Sequence, residues 1–371
     1  MSKPSEIRPP GRGARGVIRT AIATLVTALG LIIASPCPAI GAFEGAQYTF
    51  GRGLRLPALN LTLSGYSSLR AQDLARDEAR FGLRDLSLFA IWDALPHWQL
   101  FSEIELENTF SVDDRGLHAS DTEAEIERLY LDYEVNDALT VRGGRYLTPF
   151  GRWNLLHADP LVWSVSRPLV TSLIVPDHGT GIAVYGQRSL NANTLDYHVY
   201  LDDSDDLDPH HGESGFEDID LPGFSNDFDN AAGVQLRYHF LGDRAQIGAS
   251  FASFRLHRSD GRHHVFGLDA MVRWRRIELS MESAYGVSGD SREDAEWGSF
   301  VQGGVPLAGR LYAVMRTEFY SSGSRGPDAN RQVIGLAFRP HAATTFKFEY
   351  HGGSDRTLAP DGWEASWSVL F

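Results

Sequence analysis

The chain has 371 residues, one cysteine and a formal net charge of -14, with a mean hydropathy of -0.23. The acidic balance argues against nucleic acid as a partner, because phosphate binding needs a basic surface. A single cysteine excludes a disulfide framework, a Cys-rich zinc module and an iron–sulfur cluster. On these numbers alone the chain reads as a soluble protein of one or two domains.

The N-terminal segment changes that reading. Residues 1–20 carry Lys3, Arg8, Arg12, Arg15 and Arg19 against Glu6 alone. An uncharged apolar run of 14 residues follows, Ala21 to Ala34, and then a small-residue stretch ending Ala39-Ile40-Gly41-Ala42. This order predicts a secretory signal peptide over residues 1–42. The run is shorter than the ~20 residues a membrane-spanning helix needs. Pro36 fits poorly before a lipoprotein cysteine, so Cys37 is assigned to the removed segment. Removal takes five basic residues and one acidic residue with it, which moves the net charge from -14 to -18 and leaves about 329 residues from Phe43 onward. No further apolar run of helix-spanning length occurs. The expected product is exported, and any membrane domain in it must be a β-barrel.

After residue 43 the pattern has period two, which is the strand signature. Thr344, Phe346, Phe348 and Tyr350 share one face, opposite Thr345, Lys347, Glu349 and His351. Trp363, Ala365, Trp367, Val369 and Phe371 alternate with Glu364, Ser366 and Ser368. Sixteen such segments are predicted near 60–71, 81–93, 98–110, 122–135, 138–148, 178–188, 193–203, 230–241, 244–256, 264–274, 276–286, 297–305, 309–321, 330–340, 343–352 and 361–371. Most have the roughly 9–11 residues of a tilted transmembrane strand. The connections alternate long and short, as in a barrel with short turns on one rim and long loops on the other. Trp92, Trp98, Tyr133, Tyr238, Phe240, Trp274 and Phe338 sit at strand ends and suit an interfacial girdle.

Alternation also sorts the charged residues. Glu103, Glu105, Glu107, Asp132, Asp196, Asp269, Glu278, Glu282, Glu318 and Glu349 are expected inside, with Arg128, Arg142, Arg237, Arg273, Arg316, Arg339 and Lys347. Rings of such charges bias ion passage by sign. Carboxylates outnumber basic groups, so a weak cation preference is expected, unless the charges merely neutralise one another across the lumen. Arg145 shares parity with Val141, which leaves its side open.

Two segments stand apart. Residues 202–229 hold eleven acidic residues with no Lys or Arg. Ca2+ could bridge such carboxylates. The spacing lacks the glycine and terminal glutamate of a calcium loop, so a solvated external loop is the plainer reading. Residues 149–177 are too apolar for a solvated loop: Leu161, Val162, Trp163, Leu169, Val170, Leu173 and Ile174 need something to pack against. The loop either folds into a lumen, closes over its mouth or contacts another subunit. No Gly-x-Ser-x-Gly elbow and no metal-spaced His pair occurs, so no catalytic residue, cofactor or metal is expected.

The stretch Val141-Arg142-Gly143-Gly144-Arg145-Tyr146-Leu147-Thr148-Pro149-Phe150-Gly151, the long third loop and the terminal Trp367-Ser368-Val369-Leu370-Phe371 together resemble Gram-negative outer-membrane porins, in the broad phosphate-selective-porin-like and general porin group. The resemblance implies a transmembrane antiparallel barrel of sixteen strands for passive diffusion of small hydrophilic solutes or ions. It also implies a third loop folded into the lumen, which makes Arg152, His157, Asp159 and Arg167 the candidates for the constriction. Phe371 would then be the signal read by the barrel-assembly machinery. The implied partners are outer-membrane lipid, lipopolysaccharide and two further copies in a homotrimer. Phosphate selectivity does not carry over, because Lys3 and Lys347 are the only lysines. The alternatives are an outer-membrane barrel lipase or protease, or a structural or adhesive barrel plugged by its loops.

Overall fold

The computed structural model describes residues 43–371 except 76–78, 115, 119–121, 157, 205–227, 257–260, 290–294 and 324–325. The predicted signal peptide, His157 and most of the acidic 202–229 segment therefore lie outside the described residues. Among the described residues nineteen strands form one sheet. They are β1 (Gln47–Thr49), β2 (Gly53–Leu56), β3 (Leu61–Leu74), β4 (Arg80–Trp92), β5 (Trp98–Asp113), β6 (Gly116–His118), β7 (Glu123–Asn136), β8 (Leu139–Leu147), β9 (His178–Leu190), β10 (Asn193–Asp202), β11 (Phe228–Phe240), β12 (Ala245–Leu256), β13 (His263–Trp274), β14 (Ile277–Ser288), β15 (Glu296–Ala308), β16 (Leu311–Ser321), β17 (Ala329–His341), β18 (Thr344–Gly353) and β19 (Gly362–Leu370).

Sixteen of these close into an antiparallel barrel. β5 pairs with β7, each other strand with its successor, and β19 returns to β3 from Gly362↔Leu74 to Leu370↔Tyr66. Closure follows from the outward face. On β17, Ile334, Leu336 and Phe338 point out and are exposed, while Arg331, Val333 and Ala337 are buried inside. β18 repeats this with Phe346, Phe348 and Tyr350 outside and Thr345, Lys347, Glu349 and His351 inside. An apolar belt of this extent is not compatible with water on both faces. In hydrocarbon an unpaired strand edge would strand its backbone polar groups, so the sheet must meet itself.

All sixteen predicted strands are present, with ends that shift by a few residues. The turns on one rim are short: residues 137–138, 191–192, 275–276, 309–310 and 342–343 join their strands directly. Such two-residue turns need positive φ, which Asn191 (57°) and Gly309 (53°) supply. The alternation of lengths fails at one place. Residues 75–79 are no longer than residues 93–97, because β3 and β4 run further past the rim than their hydrophobic pattern predicts.

Three short strands were not predicted, and β2 has a clear physical role. β19 covers β3 only from Tyr66 upward, and Phe371 and Gly65 then exchange both backbone hydrogen bonds, at 2.9 and 3.0 Å. Beyond that point β2 takes over the same edge, with Leu54↔Leu63 and Leu56↔Leu61. The edge that would otherwise be left open is thus paired.

The core of this protein lies inside the barrel, where the segment between β8 and β9 folds inward. It carries a five-residue helix, α1 (Leu169–Leu173), whose Leu169, Val170 and Leu173 are buried in a cluster with Phe300, Tyr320, Phe254 and Val265 of the wall. Inward glycines make the seats. A Cβ on Gly304 would lie 3.0 Å from the Trp163 ring, and one on Gly267 would lie 2.6 Å from the Phe150 ring.

Candidate functional site: the lumen and its inward loop

Irregular backbone inside a barrel carries unsatisfied N–H and C=O groups, which the wall must answer. Here the answers are charged side chains. Glu282 Oε1 accepts the N–H groups of Arg152 (2.9 Å) and Trp153 (2.5 Å). Glu349 accepts Val165 N–H on one oxygen and Ser166 N–H on the other, both at 2.7 Å. Glu318 accepts Leu169 N–H at 2.8 Å, at the start of α1. The loop carbonyls are met by cations. Arg237 donates to Gly151 (2.8 Å), Arg316 to Ser166 (2.9 Å), Arg339 to Val162 (3.0 Å), Arg70 to Val165 (3.0 Å) and Lys347 to Ser164 (2.8 Å), while Arg331 donates to Arg167. These contacts run from β11 round to β18 and take in Arg70 on β3.

The arc from β4 to β10 forms the opposite wall, and it is built differently. Its inward rings stack or tilt against one another between paired strands. Phe89 and Phe101 are 5.9 Å apart, Phe101 stacks on Tyr130 at 5.1 Å, and Tyr185 stacks on His198 at 5.2 Å. Two guanidinium groups bridge the series. Arg128 lies 4.7 Å over Phe101, and Arg142 lies 3.6 Å over Tyr130 and 4.8 Å from Tyr185. Each is also paired. Arg128 binds Glu103, and Arg142 holds Asp132 through two contacts of 2.8 Å. Planar guanidinium suits both partners at once, a carboxylate in its plane and a ring beneath it.

No protein-family profile matches the chain. An uncharacterized protein of Aquifex aeolicus is 31% identical over 121 residues, which are 32% of this chain and 26% of that one. The chain thus matches about a quarter of that relative's length. Solved structures align over most of the chain. OmpF of Salmonella typhi, in complex with daunomycin, has a TM-score of 0.58 at 10% identity, over 88% of this chain and 100% of that one. An anion-selective porin of Comamonas acidovorans has a TM-score of 0.57 at 13% identity, over 84% and 99%. The trimer form of OmpT of Vibrio cholerae has a TM-score of 0.54 at 10% identity, over 84% and 99%. The fold is that of the outer-membrane porins.

Within this porin fold the loop residues named from sequence take separate positions. Asp159 meets Lys347 at 2.8 Å and Ser366 at 3.1 Å. Arg167 binds Asp177 and, at 2.7 Å, Asn154. Arg152 lies 4.0 Å from Glu278, and burial lowers its pKa against the pull of that carboxylate. The wall residues divide. Arg316, Glu318 and Lys347 are at most 4% exposed and lie beneath the loop, so they face loop backbone rather than open lumen. Glu105 is buried too, under the hydroxyls of Tyr66 and Ser87 at 3.0 and 2.7 Å. Glu107 stands across from Asp85 on β4. Arg237 lies 3.6 Å from Asp269, and Arg273 lies 2.7 Å from Glu278. Arg145 binds Glu125 at 2.6 Å.

The sequence reading missed Arg70, Arg331, Glu364 and His351 as members of the interior network. His351 bridges Glu349 (2.8 Å) and Glu364 (3.0 Å), and Arg70 lies 3.1 Å from Glu364. The signal was available for His351 and Glu364, which sit on the polar faces of two clean alternations. Arg331 was hidden between Asn330 and Gln332, where both faces are polar.

Proposed function

We propose that this protein is an outer-membrane channel for passive diffusion of small hydrophilic solutes or ions, with no catalytic step. One observation carries the reading. An apolar-faced closed barrel holds a polar, charged interior, and a loop is folded along one side of it instead of capping the mouth. In this reading the 149–177 loop constricts the lumen, and solute passes between it and the β4–β10 wall. On that wall Glu107, Glu125, Arg84, Arg128, Arg142 and Arg145 are partly exposed, while Asp85, Glu103, Glu105 and Asp132 are buried behind them. The acidic excess of the chain as a whole, 48 carboxylates against 34 Lys and Arg, supports a weak preference for cations. The relatives in fold do not decide the sign, since one of them is an anion-selective porin.

Export by a signal peptide over residues 1–42, assembly through the terminal Phe371 and a homotrimer in lipopolysaccharide-containing membrane complete the proposal. A trimer form is recorded for OmpT of Vibrio cholerae. The acidic 202–229 segment enters the proposal as a solvated external loop, whose carboxylates calcium could bridge. The test is a planar-bilayer recording under a salt gradient. Discrete conductance steps with a reversal potential of cation sign are expected. Absence of steps refutes the channel, and a reversal potential of anion sign refutes the cation preference alone.

A further inference from the structure

The turn-side mouth of the lumen carries a feature that the channel reading does not use. A recess of about 410 Å³ opens there, lined by Arg310, Tyr312, Arg339, His341 and Ala342. That volume falls in the range of small-molecule sites. Arg276, from the neighbouring turn, packs on one lining residue: its guanidinium donates to the Tyr312 hydroxyl at 2.9 Å and lies 5.1 Å over the ring. Trp163 of the inward loop packs against two of the lining residues, 4.9 Å from Tyr312 and 3.9 Å from the Arg339 guanidinium.

The charges here lack direct partners, Glu278 acting on Arg339 only from beyond ion-pair distance. Among the described residues no carboxylate comes within ion-pair distance of Arg276, Arg310 or Arg339. Glu278 already receives Arg273 at 2.7 Å and the Trp163 indole at 3.0 Å. Arg339 keeps a buried Nε with no hydrogen-bond partner. Arg310 is exposed at the tip of its turn. His341 accepts the Ala343 N–H on Nδ1 at 3.1 Å, which places its ring proton on Nε2 as a further donor. Three guanidinium groups without acids, in a chain of net charge -14, form a local reversal of sign. Guanidinium forks match planar or tetrahedral oxyanions.

We propose that this recess binds a small solute through a carboxylate or phosphate group, held by Arg276, Arg310 and Arg339 against the Tyr312 and Trp163 rings. Binding at equilibrium does not depend on conduction, so the site stands or falls apart from the channel reading.

Isothermal titration of the full chain, folded in uncharged detergent, tests it with inorganic phosphate, succinate and glucose as probes. Saturable binding of phosphate or succinate at one site is expected, with none for glucose. Arg310→Gln and Arg276→Gln are each expected to weaken it about tenfold, as loss of one charge-assisted contact does. Arg310 makes no side-chain contact that folding needs, and unchanged circular dichroism checks both variants. Binding of phosphate alone, or of succinate alone, supports the site and names its oxyanion. No saturable binding, equal binding of glucose, or binding undiminished in both variants overturns it.

Discussion

Glu349→Gln is the sharpest test of how the loop is held. Glu349 has two oxygens and uses both, one for Val165 N–H and one for Ser166 N–H. Glutamine has the same shape, so no cavity opens. Its amide nitrogen must face one of those two donors, which then loses its acceptor while buried. A hydrogen bond to a charged group contributes about 1.5–3 kcal/mol, and stranding a buried donor costs about 1–3 kcal/mol. Together these come to about 2.5–6 kcal/mol, a shift of roughly 70- to 25,000-fold in local opening. Hydrogen–deuterium exchange of the Val165 and Ser166 amides should accelerate by that factor. Glu282→Gln is the internal contrast. Glu282 serves both Arg152 and Trp153 with a single oxygen, which glutamine retains. Only charge assistance is lost there, so exchange at residues 152–153 should rise by about tenfold or less. Unchanged exchange at 165–166 in Glu349→Gln, or a larger effect from Glu282→Gln, would refute the claim that wall carboxylates hold the loop by its backbone.

Two further outcomes follow from the barrel. Ile334 is 61% exposed near the middle of β17, and Ile334→Arg should lower the stability of the lipid-folded protein by about 2–4 kcal/mol in denaturant titration; an unchanged midpoint would mean that this face does not meet hydrocarbon. A Cβ on Gly65 would sit 2.2 Å from the Ser87 carbonyl and 3.0 Å from the Phe371 ring, so Gly65→Val should destabilise the β3–β19 closure by at least the roughly 1–3 kcal/mol of an overpacked site. Gel mobility without heating reads the folded fraction, and a wild-type fraction would show that the closure tolerates the added methyl groups.

The barrel was legible because the lipid face imposes a rule on every strand. Once one side of β18 reads Phe346, Phe348, Tyr350, the other side must hold Lys347, Glu349 and His351, and each neighbouring strand repeats the constraint. Lengths were legible for the same reason, except where β3 and β4 continue past the belt and the rule stops applying. The short strands carried too few residues for a period. The side of Arg145 stayed open in the sequence because Gly144 adopts a φ of 128°, where parity no longer predicts direction; the structure resolves it through the contact with Glu125. The inward loop was legible as an apolar segment that needed a partner. Its sockets were not, since which carboxylate meets which amide depends on loop path, and the path is set by seats such as Gly304 and Gly267 more than by any local signal.

This distinction alters what the interior charges mean. Counting them from sequence treats each as part of the field felt by a passing ion. Glu282, Glu318 and Glu349 instead face loop amides, and Arg316, Arg331 and Lys347 face loop carbonyls. Dipoles and buried partners screen these groups before any solute meets them. On the proposed reading, the charges that act on a solute are those left over: the partly exposed arginines, Glu107 and Glu125 of the β4–β10 wall, and the guanidinium groups of the turn-side mouth that no carboxylate meets at ion-pair distance. A lumen of this kind carries both signs along one wall and is basic at one end. Its selectivity should therefore be sensitive to substitutions at Arg310 or Arg142, and insensitive to removal of the Glu318 charge by Glu318→Gln as long as the loop keeps its place.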